Sequence, residues 1–250
     1  MVGIENLSIG YSSRVVNSGL SGTLPQGSLT ALVGPNGVGK STLLRTLAGL
    51  LAPLAGRVAV QGHDFHSYSL RQRSHLLAVV LTHRIGGVGL TVRDVVEMGR
   101  MPHTGFDGRL SVEDCDLVNE SLEAAGVTAL SNRHIDSLSD GERQRVMIAK
   151  ALAQSTPVIL LDEPTAFLDF PAKVSVMRLL RTLSEEKGKT ILLSTHDLEL
   201  SFQTVDRLWL LSAEGLEEGS PVALAQGGRL ERCFRSADCR FDRQQMRFVF

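Results

Sequence analysis

The sequence predicts an α/β fold: a mixed sheet with flanking helices, and a helical subdomain inserted into it. Three observations carry this expectation. An apolar run, Leu29–Val33, feeds a glycine-rich loop, GPNGVGKST at 34–42, which opens into a helical pattern. A second apolar run, residues 158–161, ends in two adjacent acids, Asp162 and Glu163. Between them, residues of about 84–150 carry helix-start signals and helical apolar spacing rather than strand alternation. The chain has 250 residues, so it is read as a single domain, 1–250, with the subdomain at 84–150.

The glycine-rich loop fits G-x-x-x-x-G-K-[ST], with Gly34, Gly39, Lys40 and Ser41 at the fixed positions. Strand before and helix after are the context this P-loop requires. The apolar residues that follow, Leu43, Leu44, Leu47 and Leu51, mark one face of a helix. Gly34, Gly37 and Gly39 let the backbone turn tightly, so that its N–H groups converge on phosphate oxygens. Pro35, Asn36, Val38 and Thr42 complete the cradle. The helix N-terminus adds partial positive charge. Lys40 is expected on the β/γ-phosphates of ATP and the Ser41 hydroxyl on Mg²⁺.

The acids at 162 and 163 supply the other half of such a site. Strand alternation points neighbouring side chains to opposite faces, so the two carboxylates take different tasks. Asp162 is expected at Mg²⁺, and Glu163 is expected to polarise the attacking water as general base.

With these motifs in order, the chain resembles the nucleotide-binding subunits of ATP-binding cassette (ABC) transporters. LSDGE at 138–142 resembles the family signature LSGGQ, with Asp140 and Glu142 as departures. AFLD at 166–169 resembles the D-loop. His196, after the apolar run 191–194, matches the switch histidine. Tyr11 stands where the family stacks an aromatic ring on adenine. The family carries a Gln at Mg²⁺ after the strand that here reads 77–81; this chain has Thr82, a shorter side chain, in its place. The likeness runs from about residue 4 to about residue 221, on ordinary element lengths. It implies two copies facing head to tail, each ATP–Mg²⁺ held between one copy's cradle and the other's Ser139 and Gly141. It also implies in-line attack by a water that Glu163 and His196 orient.

The helical subdomain has its own order. Thr91 to Asp94 is a capping-box pattern opening a helix through Val95, Val96 and Met98. Ser111 to Asp114 opens a second, through Leu117, Val118, Leu122 and Ala125, and Asp140–Ala153 forms a third with the signature at its N-terminus. TVRDVVEMGRMPH, residues 91–103, is similar to a segment of the ATPases serving importers of iron–siderophore, haem and cobalamin. The resemblance implies a multi-span permease docked around residues 98–103 and an extracytoplasmic substrate-binding protein in the same system. Met98 and Met101 are read as an adaptable socket, and Arg100 as a donor to a permease helix's C-terminal carbonyls.

Composition excludes other classes. Net charge is −1, which implies no basic surface for nucleic acid. The N-terminus, with Glu5 and no basic flank, is not read as a signal peptide, and no apolar run approaches the roughly 20 residues of a membrane helix. A membrane role therefore comes through a partner, at the cytoplasmic face. Cys115, Cys233 and Cys239 form no metal spacing and read as free thiols. Residues 229–250 are expected as a strand or tail packed on the domain, with no assigned role. The alternative class is a soluble ABC ATPase used as an assembly, repair or translation clamp.

Overall fold

The computed structural model of the chain describes residues 2–12, 14–81, 89–105, 107–234, 240–243, 245 and 247–249. In chain order the elements begin with strands β1 (Val2–Tyr11), β2 (Arg14–Leu24) and β3 (Leu29–Val33), then helix α1 (Lys40–Leu47). Strands β4 (Ala55–Val60) and β5 (His63–Asp64) lead to α2 (Leu70–Leu76) and β6 (Leu77–Val80). Three helices follow: α3 (Val92–Glu97), α4 (Val112–Ala124) and α5 (Asp140–Ala153). The chain returns to the sheet with β7 (Val158–Asp162), α6 (Phe170–Glu185), β8 (Thr190–Ser194), α7 (Leu198–Thr204), β9 (Arg207–Ser212) and β10 (Gly215–Gly219). It closes with α8 (Pro221–Gln226), α9 (Arg229–Cys233) and a hairpin of β11 (Arg240–Asp242) and β12 (Arg247–Val249).

Two sheets organise these elements. One is mixed, in the order β10-β9-β3-β8-β7-β6, parallel from β9 to β6 with β10 antiparallel at the edge. The other is antiparallel, β2-β1-β4-β5. β3, β7 and β8 are buried at every position, which is why they read as unbroken apolar runs. One face of the parallel sheet packs on α5, α6 and α7 through Ile148, Val176, Leu180 and Leu200. The other closes on α1 and the antiparallel sheet through Leu43, Leu47, Ile9 and Trp209.

The helices at 92–153 form a separate apolar cluster of Val92, Val95, Val96, Val118, Leu122, Ile135 and Val146. Thr91, Ser111 and Ser139 each close a capping box, with Asp94, Asp114 and Glu142 as reciprocal partners. Each box satisfies two backbone donors that the helix itself leaves open. Among the described residues, no helix is long and apolar enough to cross a membrane.

Several expectations are corrected by the structure. α1 stops at Leu47, short of Leu51, because Gly49 turns left-handed at φ 71° and sends the N–H of Leu50 back to Arg45 O at 2.9 Å. The helix opened at Thr91 ends at Glu97 and passes into a 3₁₀ turn over Met98–Arg100. Arg100 does not face a partner. It is 5% exposed and donates to Asp114 Oδ1 at 2.8 Å, Ala153 O at 2.6 Å and Ser155 Oγ at 3.0 Å. A guanidinium in apolar surroundings needs such partners, and the turn after α3 delivers it to them. Met101 next to it is 68% exposed.

Candidate active site

The parallel strands end together, and the residues at their C-terminal ends converge. β3 lies between β8 and β9, with Leu32 opposite both Ser194 and Trp209. The cradle leaves β3 at Gly34. A Cβ there would lie 2.1 Å from Leu211 O, so only glycine lets the loop pass this close to β9. At the far end Gly39 caps α1 with φ 110°, and a Cβ there would meet Val16 Cγ1 at 2.8 Å. Lys40 is 7% exposed, and its Nζ donates to Gly34 O at 2.7 Å and Pro35 O at 3.1 Å. The ammonium folds back over the loop, at its centre. Burial pushes its pKa below the ordinary lysine value, against the pull of Glu163 and Asp162.

β7 runs beside β8, with Asp162 opposite Ser194. Asp162 Oδ1 accepts from Ser194 Oγ at 2.7 Å and from Ser41 Oγ at 3.1 Å. This joins the first turn of α1 to the end of β7. Glu163 does not continue the strand. It turns left-handed at φ 50°, and its N–H donates to Ser194 Oγ at 2.9 Å. The divergence of the two carboxylates thus comes from a backbone turn at Glu163, where strand alternation was the expected cause. That turn brings Glu163 Oε1 against His196, whose Nε2–H donates to it. His196 stands on the turn after β8, held by the Asp197 N–H on Thr195 Oγ1 at 3.0 Å and the Lys173–Asp197 ion pair at 3.1 Å.

Ser194 is the residue that sequence reasoning missed. Its hydroxyl donates to Asp162 and accepts from the Glu163 N–H, so one side chain aligns both acids. The only sequence signal was its place at the end of an apolar strand, which does not show what lies opposite.

Tyr11 ends β1 and is 45% exposed. Its hydroxyl is bound by the Thr42 side chain and by Arg45 Nη1 at 3.5 Å; the Thr42 bond, ahead of Arg45, holds its pKa below the usual phenol value. The ring therefore sits at the start of α1, beside the cradle.

Ser139 and Gly141 lie at the N-terminus of α5. The Ser139 hydroxyl and N–H both donate to Glu142 Oε2, at 2.8 and 2.9 Å. Those two bonds from Ser139, its backbone N–H first, draw the Glu142 pKa down. Among the described residues, no hydrogen bond joins Ser139 or Gly141 to the cradle. Thr82 lies outside the described residues. Phe167 of the AFLD stretch is left-handed at φ 63° and 86% exposed.

The donors fit a small hard cation. A hydroxyl and a carboxylate oxygen, Ser41 and Asp162, are carried on a helix and a strand beside a phosphate cradle. Among the described residues no group of three or more His, Cys, Asp or Glu is placed to hold a metal.

Residues 17–166 match the family described as "ABC transporter". The iron(3+)-hydroxamate import ATP-binding protein FhuC of Bacillus subtilis is 42% identical over 194 residues, covering 78% of this chain and 72% of that protein. Among solved structures, an inward-facing putative metal-chelate type ABC transporter superposes with TM-score 0.82 at 28% identity, over 93% of this chain and 88% of that one. The dimeric structure of the bacterial ABC transporter cassette MJ0796 superposes with TM-score 0.76 at 27% identity, over 88% and 98%.

Proposed function

This chain belongs to the ABC transporter family and is an ATPase, and from that premise we propose that it powers a membrane importer of chelated iron, haem or cobalamin. The observation that carries the enzymatic reading is the convergence of Lys40, Ser41, Asp162, Glu163 and His196 at one end of the parallel sheet.

In this reading the backbone N–H groups of residues 34–42 and the α1 N-terminus cradle the β- and γ-phosphates of ATP. Lys40 exchanges the carbonyls of Gly34 and Pro35 for phosphate oxygens, and Tyr11 stacks on the adenine. Ser41 and Asp162, together with Thr82, would hold Mg²⁺, which when bound would neutralise charge on the phosphate oxygens. Glu163 takes the proton of the attacking water. His196, donating to the same carboxylate, keeps it aimed. Two copies pair head to tail, and Ser139 and Gly141 of one copy close the site of the other; the solved cassette MJ0796, which this chain resembles, is itself dimeric. Closure of the pair then moves a permease through the helical subdomain, residues 84–150.

The importer reading is supported by the FhuC likeness and by the exposed Met101 at the corner of the helical lobe. It places the chain at the cytoplasmic face of a membrane, peripheral through its permease and served by an extracytoplasmic binding protein. The test is reconstitution with a candidate permease in proteoliposomes and uptake of labelled ferric hydroxamate, haem and cobalamin. ATP-dependent uptake of one cargo supports the reading; uptake of none of them by a permease that binds the subunit removes this cargo class.

A further inference from the structure

The C-terminal segment takes no part in the chemistry above, yet its described residues 229–234 and 241 pack on the sheet and the switch helix. α9 packs on β9 through Leu230, which is fully buried, and ends at Phe234, whose N–H donates to Leu230 O at 3.0 Å. Phe234 is one wall of a cavity of about 190 Å³; Pro35 and Asn36 of the cradle and Thr195, His196 and Leu198 of the switch turn form the others. One residue earlier, Cys233 Sγ lies 3.9 Å from Leu211 O, the carbonyl that a side chain at Gly34 would strike.

A second contact reaches the far end of the switch helix. Phe241 of β11 is 5% exposed and meets the ring of Phe202 edge-on, with centroids 5.6 Å apart and planes at 76°. α7 begins directly after His196 and Asp197. The same C-terminal segment therefore holds α7 at both ends, through Phe234 beside Leu198 and through Phe241 on Phe202. Arg243 ties the hairpin back to α9 by an ion pair with Glu231 at 2.8 Å.

We propose that Phe234 is a positioning residue for ATP hydrolysis, with Phe241 holding the same switch helix through Phe202: the Phe234 ring holds the His196 turn at a fixed place beside the cradle. The His196 side chain is half exposed and bonds to Glu163, and its turn faces Phe234 across the cavity. A phenyl ring is rigid, and as one wall of that cavity it limits how far the turn on the opposite wall can move. Removing the ring enlarges the adjoining cavity and lets His196 and Glu163 drift from the γ-phosphate. The cradle keeps its own glycine-built path, so nucleotide binding is spared. The inference rests on the reading of Glu163 and His196 as the hydrolytic pair.

The experiment is steady-state hydrolysis by the full chain carrying Phe234→Ala, Phe234→Leu or Phe241→Ala, with Glu163→Gln as control. Phe234→Ala is expected to lower kcat roughly tenfold, as misplacement of a catalytic group does. KM for ATP and the affinity for a non-hydrolysable ATP analogue should stay within about twofold, since the residue acts on orientation rather than uniform binding. Phe234→Leu should restore most of kcat, and Phe241→Ala should follow Phe234→Ala in direction. If Phe234→Ala does not fold, Phe234→Val carries the same expectation. A kcat equal to wild type, or a loss confined to KM, overturns the proposal. If Glu163→Gln hydrolyses normally, the underlying site reading fails instead, whatever Phe234 does.

Discussion

Arg100 and Asp114 form an ion pair inside the helical lobe, Nε to Oδ1 at 2.8 Å, with the two side chains 6% and 11% exposed. It joins the turn after α3 to the first turn of α4, and the same guanidinium caps the α5 C-terminus at Ala153 O. The pair orders the corner from which Met101 projects.

Removing one partner leaves the other charged and buried. Arg100→Glu is expected to destabilise the fold by about 3–5 kcal/mol, the range for breaking a buried pair. Urea unfolding followed by circular dichroism measures it. A loss below about 1 kcal/mol would show that the pair is effectively solvated. The acid side has a defined sign. The Ser111 N–H first, then the Ser111 hydroxyl and Arg100, draw the Asp114 pKa from 3.8 to about 2. The folded value is below the unfolded one, so this stabilisation is present above about pH 4 and is lost as pH falls towards 2. Asp114→Asn should flatten the fall in stability across that window.

Glu163→Gln keeps the size and the contact with His196 but cannot take a proton. Hydrolysis should fall by about 10²–10⁴, the usual worth of a general base. ATP should still bind, and gel filtration should show an ATP-dependent dimer. Turnover near wild type would remove Glu163 from the base role.

Lys40→Ala should prevent productive ATP binding, because its ammonium is the point charge at the centre of the cradle. Ser139→Arg should leave binding intact and obstruct the site across the dimer. An equimolar mixture then contains heterodimers with one whole site and should recover part of the activity. A dead mixture in which heterodimers are demonstrably present would exclude the shared site.

The signature helix makes a further prediction. The Ser139 hydroxyl donates to the Glu142 carboxylate, while the Asp140 charge at the same helix end is paired with Arg143 at 3.0 Å. The Glu142 charge opposes an incoming γ-phosphate. Glu142→Gln keeps the capping box and removes one charge, so the ATP-bound dimer should form at lower protein concentration, with a weaker dependence on salt. Light scattering across a salt series tests it; an unchanged midpoint would show that the charge at 142 is not felt across the interface.

Much of this molecule is legible in its sequence, for a physical reason. β3 at Leu29–Val33 and α5 at Asp140–Ala153 are bounded by local chemistry, a glycine loop in one case and a capping box in the other. What the sequence hides is set by partners distant along the chain. Ser194 acquires its role from lying opposite Asp162 in a parallel pair. Arg100, which reads as a surface donor, is taken inward by Asp114 and the carbonyl end of α5. Glu163 leaves the strand by a left-handed turn that no period-2 pattern foretells. Phe234 likewise gives no sign in the sequence that it lines a cavity with His196.

Met101 carries the last prediction. It is 68% exposed on a corner whose neighbours are buried and tied, so its side chain is free to meet another molecule. His103 beside it is held, with Nε2 on Gln154 O at 2.9 Å and its ring edge-on to His75. A flexible thioether on a rigid corner suits a socket for a short permease helix. Met101→Asp should therefore leave the melting temperature and the ATPase rate of the isolated subunit near wild type. Placing a charge in an apolar contact should abolish co-purification with the permease and ATP-driven uptake. Arg100→Glu separates fold from docking, since it should lower the melting temperature before it touches transport. If Met101→Asp still pulls down the permease and still supports uptake, the docking surface lies elsewhere on the helical lobe.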